Sequence, residues 1–169
     1  MIDSGVEGGN YPQTDRFRVK IDETDKKLLS QLQMDSSLSL EEIGEKVNLS
    51  RNACWRRIKV LEEAGVIKGR VALLDPAKLG LVLTVFILIR TQDHSADWLD
   101  AFRAATRSLP QIQGVYRMTG DLDYLIRAQV ADMADYDLLY QSLIHRVTLS
   151  DVSASFVMEE IKNTHAIPL

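Results

Sequence analysis

The sequence is poor in the residues that build covalent or metal frameworks, with one cysteine and three histidines among 169 residues. A single cysteine excludes an internal disulfide framework and is typical of a reducing compartment. The histidines, His94, His145 and His165, stand far apart and show none of the close spacings of metal ligands. We therefore expect neither a metal site nor any other cofactor.

Long apolar runs are also missing. The longest, Leu81 to Ile89, has nine residues, whereas a membrane-spanning helix needs roughly 20. The first 15 residues contain glycine, asparagine and proline but no apolar core segment, so they indicate neither a signal peptide nor a folded element. We expect a disordered tail at residues 1–15 and a cytoplasmic protein.

A pair of capped helices is encoded between Ser39 and Gly65. Ser39 followed by Glu42 is a capping box, in which the hydroxyl binds the third amide of the helix and the carboxylate binds the amide of the cap. A short helix is expected to run from there to Val47. Ser50 then caps a second helix that ends near Gly65. Two helices joined by so short a turn predict a helix-turn-helix, whose second helix enters the major groove of DNA.

The second helix has one apolar side and one polar side. Cys54, Ile58 and Leu61 recur at helical spacing and should face the core. The polar side is free to touch a partner, and the candidate DNA-binding residues on it are Ser50, Arg51, Asn52, Trp55, Arg56 and Lys59. The position of Cys54 favours a small buried hydrophobe over a redox-sensing thiol, and both interpretations are open at this point.

Positive charge is concentrated on this segment. Residues 50–70 contain six basic and two acidic residues, a local net charge of +4, whereas the whole chain carries −4. Basic side chains in a helix-turn-helix supply phosphate contacts, and an acidic remainder discourages unspecific coating of nucleic acid. The alternative is that the charges merely solvate a helix face. The capped two-helix spacing favours DNA binding.

Local signals extend this unit on both sides. Asp22 and Asp25 are expected to cap a preceding helix, and Val66 to Arg70 is expected to form a strand or wing. The dipeptide Asp75-Pro76 interrupts regular structure and indicates a connection between domains. The sequence therefore predicts a winged helix-turn-helix at residues 16–70, a linker strand at residues 71–80 and a second domain at residues 81–169.

The second domain follows the order β-α-β-β-α-β. Strand patterns begin near Leu81, Ile112, Leu122 and Val152. This order predicts a ferredoxin-like antiparallel sheet with both helices on one face, so the whole chain is expected to be α+β. Leu125, Val157 and part of the first strand would then form an uncovered apolar face. Such a face indicates a partner subunit and hence a homodimer.

Four short motifs stand in a fixed order along the chain. They are Leu49-Ser50-Arg51-Asn52-Ala53-Cys54-Trp55-Arg56-Arg57-Ile58, Leu61-Glu62-Glu63-Ala64-Gly65-Val66-Ile67, Leu74-Asp75-Pro76 and Thr119-Gly120-Asp121-Leu122-Asp123-Tyr124. Their order and spacing resemble those of the Lrp/AsnC (feast/famine) family. The resemblance implies a DNA-binding transcription regulator whose αβ domain responds to amino acids and forms dimers that assemble to tetramers or octamers. Within the family the motifs look most like the cysteine-responsive DecR-type branch, which implies control of amino-acid metabolism or cysteine detoxification.

The resemblance places an amino-acid pocket between subunits, at the turn that joins the second and third strands. The effector-binding residues that it implies are Met118, Thr119, Gly120, Asp121 and Asp123. Asp121 or Asp123 would accept from the ligand's ammonium group, and the Thr119 hydroxyl or the Gly120 amide would donate to its carboxylate. Cysteine is the first candidate effector. The simpler interpretation, that Gly120-Asp121 merely forms a tight turn, is equally open from the residues alone.

An enzyme is the competing class, because ferredoxin-like domains also serve in catalysis, and the helix-turn-helix would then act only as an interaction module. Asp121 and Asp123 would be its acidic pair, but no histidine, serine or cysteine stands near them in sequence as a partner. Strongly salt-dependent retention on duplex DNA would separate the regulator from the enzyme.

Overall fold

The computed structural model describes residues 20–169, so the expected tail at residues 1–15 lies outside the described part of the chain. The described residues divide into two units. One contains the residues up to Ala72 together with Thr164–Leu169, and the other contains Leu73–Asn163. The predicted α+β class is confirmed, because the first unit is helical and the second combines a sheet with helices.

The first unit is built on three helices, α1 (Glu23–Met34), α2 (Leu40–Val47) and α3 (Arg51–Glu63). Each begins at a predicted cap, because the side chains of Asp22, Ser39 and Ser50 all accept a hydrogen bond from a backbone amide of the first turn. Asp22 and Ser39 also form reciprocal capping boxes with Asp25 and Glu42. The three helix starts are therefore encoded locally in the sequence.

A small apolar core joins the three helices. Leu28, Ile43, Cys54 and Leu61 have at most 1% of their surface exposed. Full burial of a leucine or isoleucine side chain contributes about 1.5–3 kcal/mol. This core fixes the orientation of α3, whose opposite side stays in solvent.

The last six residues of the chain pack with this first unit, although the sequence pattern assigns them to the second domain. The side-chain amide of Gln33 on α1 holds the backbone of Ile167 at two points. Its Oε1 accepts from the Ile167 N–H at 2.7 Å, and its Nε2 donates to the Ile167 carbonyl at 3.2 Å. Because the two residues are 134 positions apart, no periodic pattern in the sequence relates them.

No strand forms at Val66–Arg70 or at residues 71–80. Of the strand or wing expected after α3, the strand is therefore wrong, and the predicted linker strand is wrong as well. A strand needs a hydrogen-bonded neighbour, and the first unit has no strand among its described residues. The wing that follows α3 is therefore a loop. The segment that leads out of it contains a single 3₁₀ turn at Ala77–Leu79, directly after Pro76.

The second unit is a four-stranded antiparallel sheet with two helices. In chain order its elements are β1 (Leu83–Arg90), α4 (Ala96–Arg107), β2 (Ile112–Arg117), β3 (Tyr124–Val130), α5 (Met133–Ile144) and β4 (Asp151–Phe156). The strands lie in the order β2-β3-β1-β4 across the sheet. This is the predicted βαββαβ, ferredoxin-like arrangement.

The two faces of the sheet differ. Ile87 and Ile89 of β1 are fully buried in a core that includes side chains of α4 and α5. The alternating residues Phe86 and Leu88 point to the opposite face, where Leu88 pairs with Leu125 of β3, and all three are only half-buried. Because both helices of this unit pack on the first face, the opposite face carries apolar side chains without a helix over them.

An aromatic cluster fixes α4 against β3. Trp98 and Phe102 stack with ring centroids 5.1 Å apart, and the ring of Phe102 lies 4.7 Å from that of Tyr124. The indole N–H of Trp98 donates to the Thr148 carbonyl at 2.7 Å, so the polar end of the ring is satisfied. The position of α4 on the sheet is therefore set by several contacts at once.

Candidate DNA-binding surface and effector site

Burial of one side of α3 turns its other side outward. Cys54, Ile58 and Leu61 have at most 4% of their surface exposed, as the periodicity predicts. The six candidate DNA-binding residues are all exposed: Ser50, Arg51, Asn52, Trp55, Arg56 and Lys59. Trp55 is the large apolar side chain among them and has 54% of its surface exposed. The structure thus brings the predicted residues together on one surface, which we call the α3 surface.

Ion pairs reduce the free positive charge of the α3 surface. Arg51 pairs with Glu41 of α2 at 2.9 Å, and Lys59 pairs with Glu62 at 3.1 Å. Within residues 20–169, Arg56 forms no ion pair. All of these pairs are exposed and individually weak, so a phosphate could take over the basic partner. The net charge of +4 counted along residues 50–70 therefore overstates the number of basic side chains that are unpaired before DNA binds.

Arg57 is a structural residue and not part of the α3 surface. Its guanidinium Nη1 donates to Asp25 at 2.8 Å and to Asp22 at 2.9 Å, which ties α3 to the capped start of α1. The amide of Asp25 and the guanidinium of Arg57 together hold the pKa of the Asp22 carboxyl below its usual value. Sequence reasoning missed this tie because it joins residues more than 30 positions apart.

Cys54 belongs to the core. None of its surface is exposed, and burial raises the pKa of its thiol. A thiol held in its neutral form is a poor nucleophile and a poor redox sensor. The structure therefore favours the small-hydrophobe interpretation of this residue.

The turn between α2 and α3 depends on a close approach at Gly44. The Leu49 N–H donates to the Gly44 carbonyl at 2.9 Å, and Asn48 takes a left-handed conformation at φ 56°. A Cβ atom added to Gly44 would lie 2.5 Å from the Leu49 carbonyl oxygen. Glycine is required here because the chain doubles back against its own helix.

The predicted effector residues lie on a loop that is closed at its base. The Met118 N–H donates to the Asp123 carbonyl at 2.8 Å, and Gly120 has a φ of 98°, which glycine accommodates without strain. Met118, Thr119, Gly120 and Asp121 are exposed, whereas Asp123 is half-buried. The loop therefore presents backbone and polar side chains to solvent.

The two carboxylates of this loop are in different situations. Asp123 Oδ2 accepts the Thr91 N–H at 2.8 Å, so one of its oxygens is already used to hold the end of β1. The side chain of Asp121 forms no hydrogen bond or ion pair with any described residue. Asp121 is consequently the freer acceptor for a cation.

Arg90 is a residue of this site that the sequence analysis missed. Its Nε donates to the Asp121 carbonyl at 2.8 Å, and its Nη1 pairs with Asp151 of β4 at 2.6 Å. The antiparallel register of β1 and β3 places the end of one strand beside the start of the other. The distance of 31 positions between Arg90 and Asp121 hides this from motif inspection.

Within residues 20–169 no group of three or more histidine, cysteine, aspartate or glutamate side chains is placed to hold a metal ion. No helix in the same part of the chain has both the length and the apolar character needed to cross a membrane.

Comparison with protein families assigns both units. Residues 21–68 match a winged helix-turn-helix DNA-binding domain, and residues 84–167 match the Lrp/AsnC ligand binding domain. These two domains in one chain define a DNA-binding transcription regulator with a ligand-binding domain. The chain belongs to the Lrp/AsnC family.

Individual relatives agree with this assignment. The glutamate uptake regulatory protein of Zymomonas mobilis is 51% identical over 150 residues, which are 89% of this chain and 92% of that protein. The DNA-binding transcriptional activator DecR of Escherichia coli is 49% identical over 88% of this chain and 99% of its own. A transcriptional regulator from Neisseria meningitidis, solved with L-methionine, has a TM-score of 0.83 at 35% identity, covering 87% of this chain and 96% of that one. All three relatives are named as regulators, which supports the regulator over the competing enzyme.

We predict that Gly44→Ala lowers the free energy of unfolding of the first unit by about 1–3 kcal/mol, because the added methyl group meets backbone and not a movable side chain. This loss should appear although alanine favours a helix over glycine by about 1 kcal/mol. Urea unfolding followed by helical circular dichroism measures the change. Gly69→Ala is the matched control, because a Cβ there meets nothing within 4 Å. Equal stability of the two variants would contradict the close approach.

Proposed function

We propose that this protein controls genes of amino-acid metabolism by binding DNA through the α3 surface and by responding to a small α-amino acid, with cysteine as the first candidate. The exposed polar side of α3, held outward by its buried stripe, is the observation that carries the DNA part of the proposal. Because the partner would be chromosomal DNA, we propose that the protein is cytoplasmic.

The residues of the α3 surface are proposed to divide the work of DNA binding. Arg51 and Asn52 form the first turn of α3, and the first turn of a recognition helix lies deepest in the major groove. These two side chains would reach base edges. Arg56 and Lys59 stand one or two turns later and would contact phosphates, while the exposed Trp55 would either stack or pack at the rim of the interface.

We predict that Asn52→Ala costs about 1–3 kcal/mol of binding free energy at the preferred site and much less on random DNA. Arg56→Ala should weaken both DNAs alike and reduce the slope of affinity against salt by about one phosphate contact. Fluorescence anisotropy over a salt series measures both effects. Lys27→Ala, an exposed lysine of α1 outside the α3 surface, is the charge control. Equal losses for both variants on both DNAs would reject the division.

The effector is proposed to bind at the loop of residues 118–123. Asp121 would accept from the ammonium group of the amino acid, since its carboxylate is exposed and unpaired among the described residues. The Thr119 hydroxyl, the Gly120 amide and the Arg90 guanidinium are the donors for the ligand's carboxylate. The relative solved with L-methionine supports an α-amino acid as the ligand class.

We predict that isothermal titration calorimetry detects binding of at least one of cysteine, alanine, leucine and methionine, with cysteine binding most tightly. Asp121→Ala should weaken this binding by about tenfold or more, because the ammonium group loses its charged acceptor. Asp137→Ala removes an exposed carboxylate from α5 and is the control. The site is refuted by absence of heat from all four amino acids, or by unchanged binding in Asp121→Ala.

A homodimer is proposed as the smallest DNA-binding unit, formed through the open face of the sheet. Phe86, Leu88 and Leu125 give this face an apolar centre, and apolar faces of this kind are typical of subunit interfaces. Two recognition helices of a dimer read half-sites about one helical turn apart. Further assembly of dimers to tetramers or octamers would allow an effector bound between subunits to shift DNA affinity.

Sedimentation velocity at micromolar concentration without DNA should show a dimer or a larger assembly for the wild type. Leu88→Asp should shift the protein to monomer, because it places a charge in the apolar centre of the interface. Leu138→Asp, on the exposed side of α5, is the control and should leave the assembly unchanged. A wild-type monomer, or a folded Leu88→Asp protein that still assembles, would count against the open face as the interface.

A further inference from the structure

A groove lies between α4 and the edge strand β2 in the second unit. Its volume is about 400 Å³, which is within the range of pockets that hold small ligands. Phe102, Ile112, Val115 and Tyr124 supply apolar lining. Phe102 and Tyr124 are fixed by the aromatic cluster, whereas Val115 has 39% of its surface exposed. The groove is thus an apolar surface with one rigid side and one side open to solvent.

Three arginines surround this apolar lining. Arg103 and Arg107 stand one turn apart on α4, and Arg117 ends β2. No aspartate or glutamate lines the groove, and the sequence has none between residues 101 and 120. The three arginines therefore line a groove whose lining contains no carboxylate.

The arginines are largely unused within the described chain. Arg103 makes one exposed contact with Asp100 at 3.3 Å, on its own helix. The side chains of Arg107 and Arg117 form no hydrogen bond or ion pair with any of residues 20–169. Arginine presents a planar fork of donors that matches a carboxylate.

We propose that this groove binds a small carboxylate that has an apolar chain and lacks an ammonium group, the chemical class of the 2-oxo acids. The arginines recognise the carboxylate, and the apolar surface formed by Leu99, Ile112 and Val115 takes the chain. An α-amino acid is disfavoured, because its ammonium group would lie beside the unpaired guanidinium groups of Arg107 and Arg117, and no carboxylate lines the groove to receive it. The Thr106 hydroxyl in the groove already donates to the Phe102 carbonyl at 2.9 Å, so it adds no free donor.

The groove and the proposed effector loop favour ligand groups of opposite charge. The loop offers Asp121 to a ligand's ammonium group, whereas residues 118–123 do not line the groove. An amino acid and its 2-oxo acid counterpart would therefore bind at different places on the same unit. The proposal stands independently of the identity of the amino-acid effector.

The test compares 4-methyl-2-oxopentanoate with leucine, because the two share one apolar chain and differ at the ammonium group. The calorimetric titrations use the full chain carrying Asp121→Ala. This substitution removes the carboxylate that is proposed to bind the ammonium group of an amino acid at the effector loop. We expect the 2-oxo acid to bind this protein about tenfold or more tightly than leucine does. Sulfate, as a plain anion, should compete only weakly because it cannot use the apolar wall.

Two groove variants locate the binding. Arg107→Gln combined with Arg117→Gln should weaken the 2-oxo acid about tenfold or more, and Val115→Glu should do the same by placing a carboxylate in the wall. Arg146→Gln is the matched control, since Arg146 lies outside the groove and binds Ser108. Unchanged circular dichroism confirms that each variant is folded.

The proposal is overturned by any of three results: no binding of the 2-oxo acid at millimolar concentration, equal affinity for leucine in the Asp121→Ala background, or full affinity in the folded groove variants. Sulfate that competes as well as the 2-oxo acid also overturns it, because the apolar wall then plays no part. Loss of amino-acid binding in Asp121→Ala bears only on the effector loop, so the two sites fail independently.

Discussion

Burial of one stripe of α3 is the constraint on which the DNA-binding unit depends. Each residue of a helix is rotated by about 100° from the one before, so placing Cys54, Ile58 and Leu61 in the core decides where every other side chain of α3 points. The Arg57 tie to Asp22 and Asp25 then fixes that helix against the start of α1. The polar side needs no stabilising contact of its own, and its residues are therefore available to a partner.

Helix starts, the α+β class and the polar side of α3 could all be predicted from the sequence, because caps and periodicity are local. The contacts that define the sites could not. Arg57 meets Asp25 across 32 positions, and Arg90 meets Asp121 across 31. Pairing over such distances depends on how elements pack, which neither composition nor spacing records. The contact between Gln33 and Ile167 is the example with the largest separation, because the two residues are 134 positions apart.

Segments with strand-like sequences fail to become strands when they lack a neighbour. Val66–Arg70 and residues 71–80 carry β-branched and aliphatic residues, yet their backbone groups find no ladder to join. The residues Leu83–Arg90 succeed because β3 and β4 pair with them on both sides. A sequence with high strand propensity therefore forms a strand only where a neighbouring strand is available for pairing.

Charge shows the same dependence on three-dimensional context. Arg57 adds to the positive charge counted along α3, but its guanidinium is neutralised by an ion pair with Asp25 of α1. Arg51 is paired with Glu41 until a phosphate competes for it. In the second unit the opposite holds, since Arg103, Arg107 and Arg117 are scattered along the sequence but meet around one groove. A positive surface is therefore defined by which charges remain uncompensated after folding. By that measure Arg56 on α3 and Arg107 and Arg117 at the groove, which form no ion pair within residues 20–169, are among the described cations that remain available to an anionic partner.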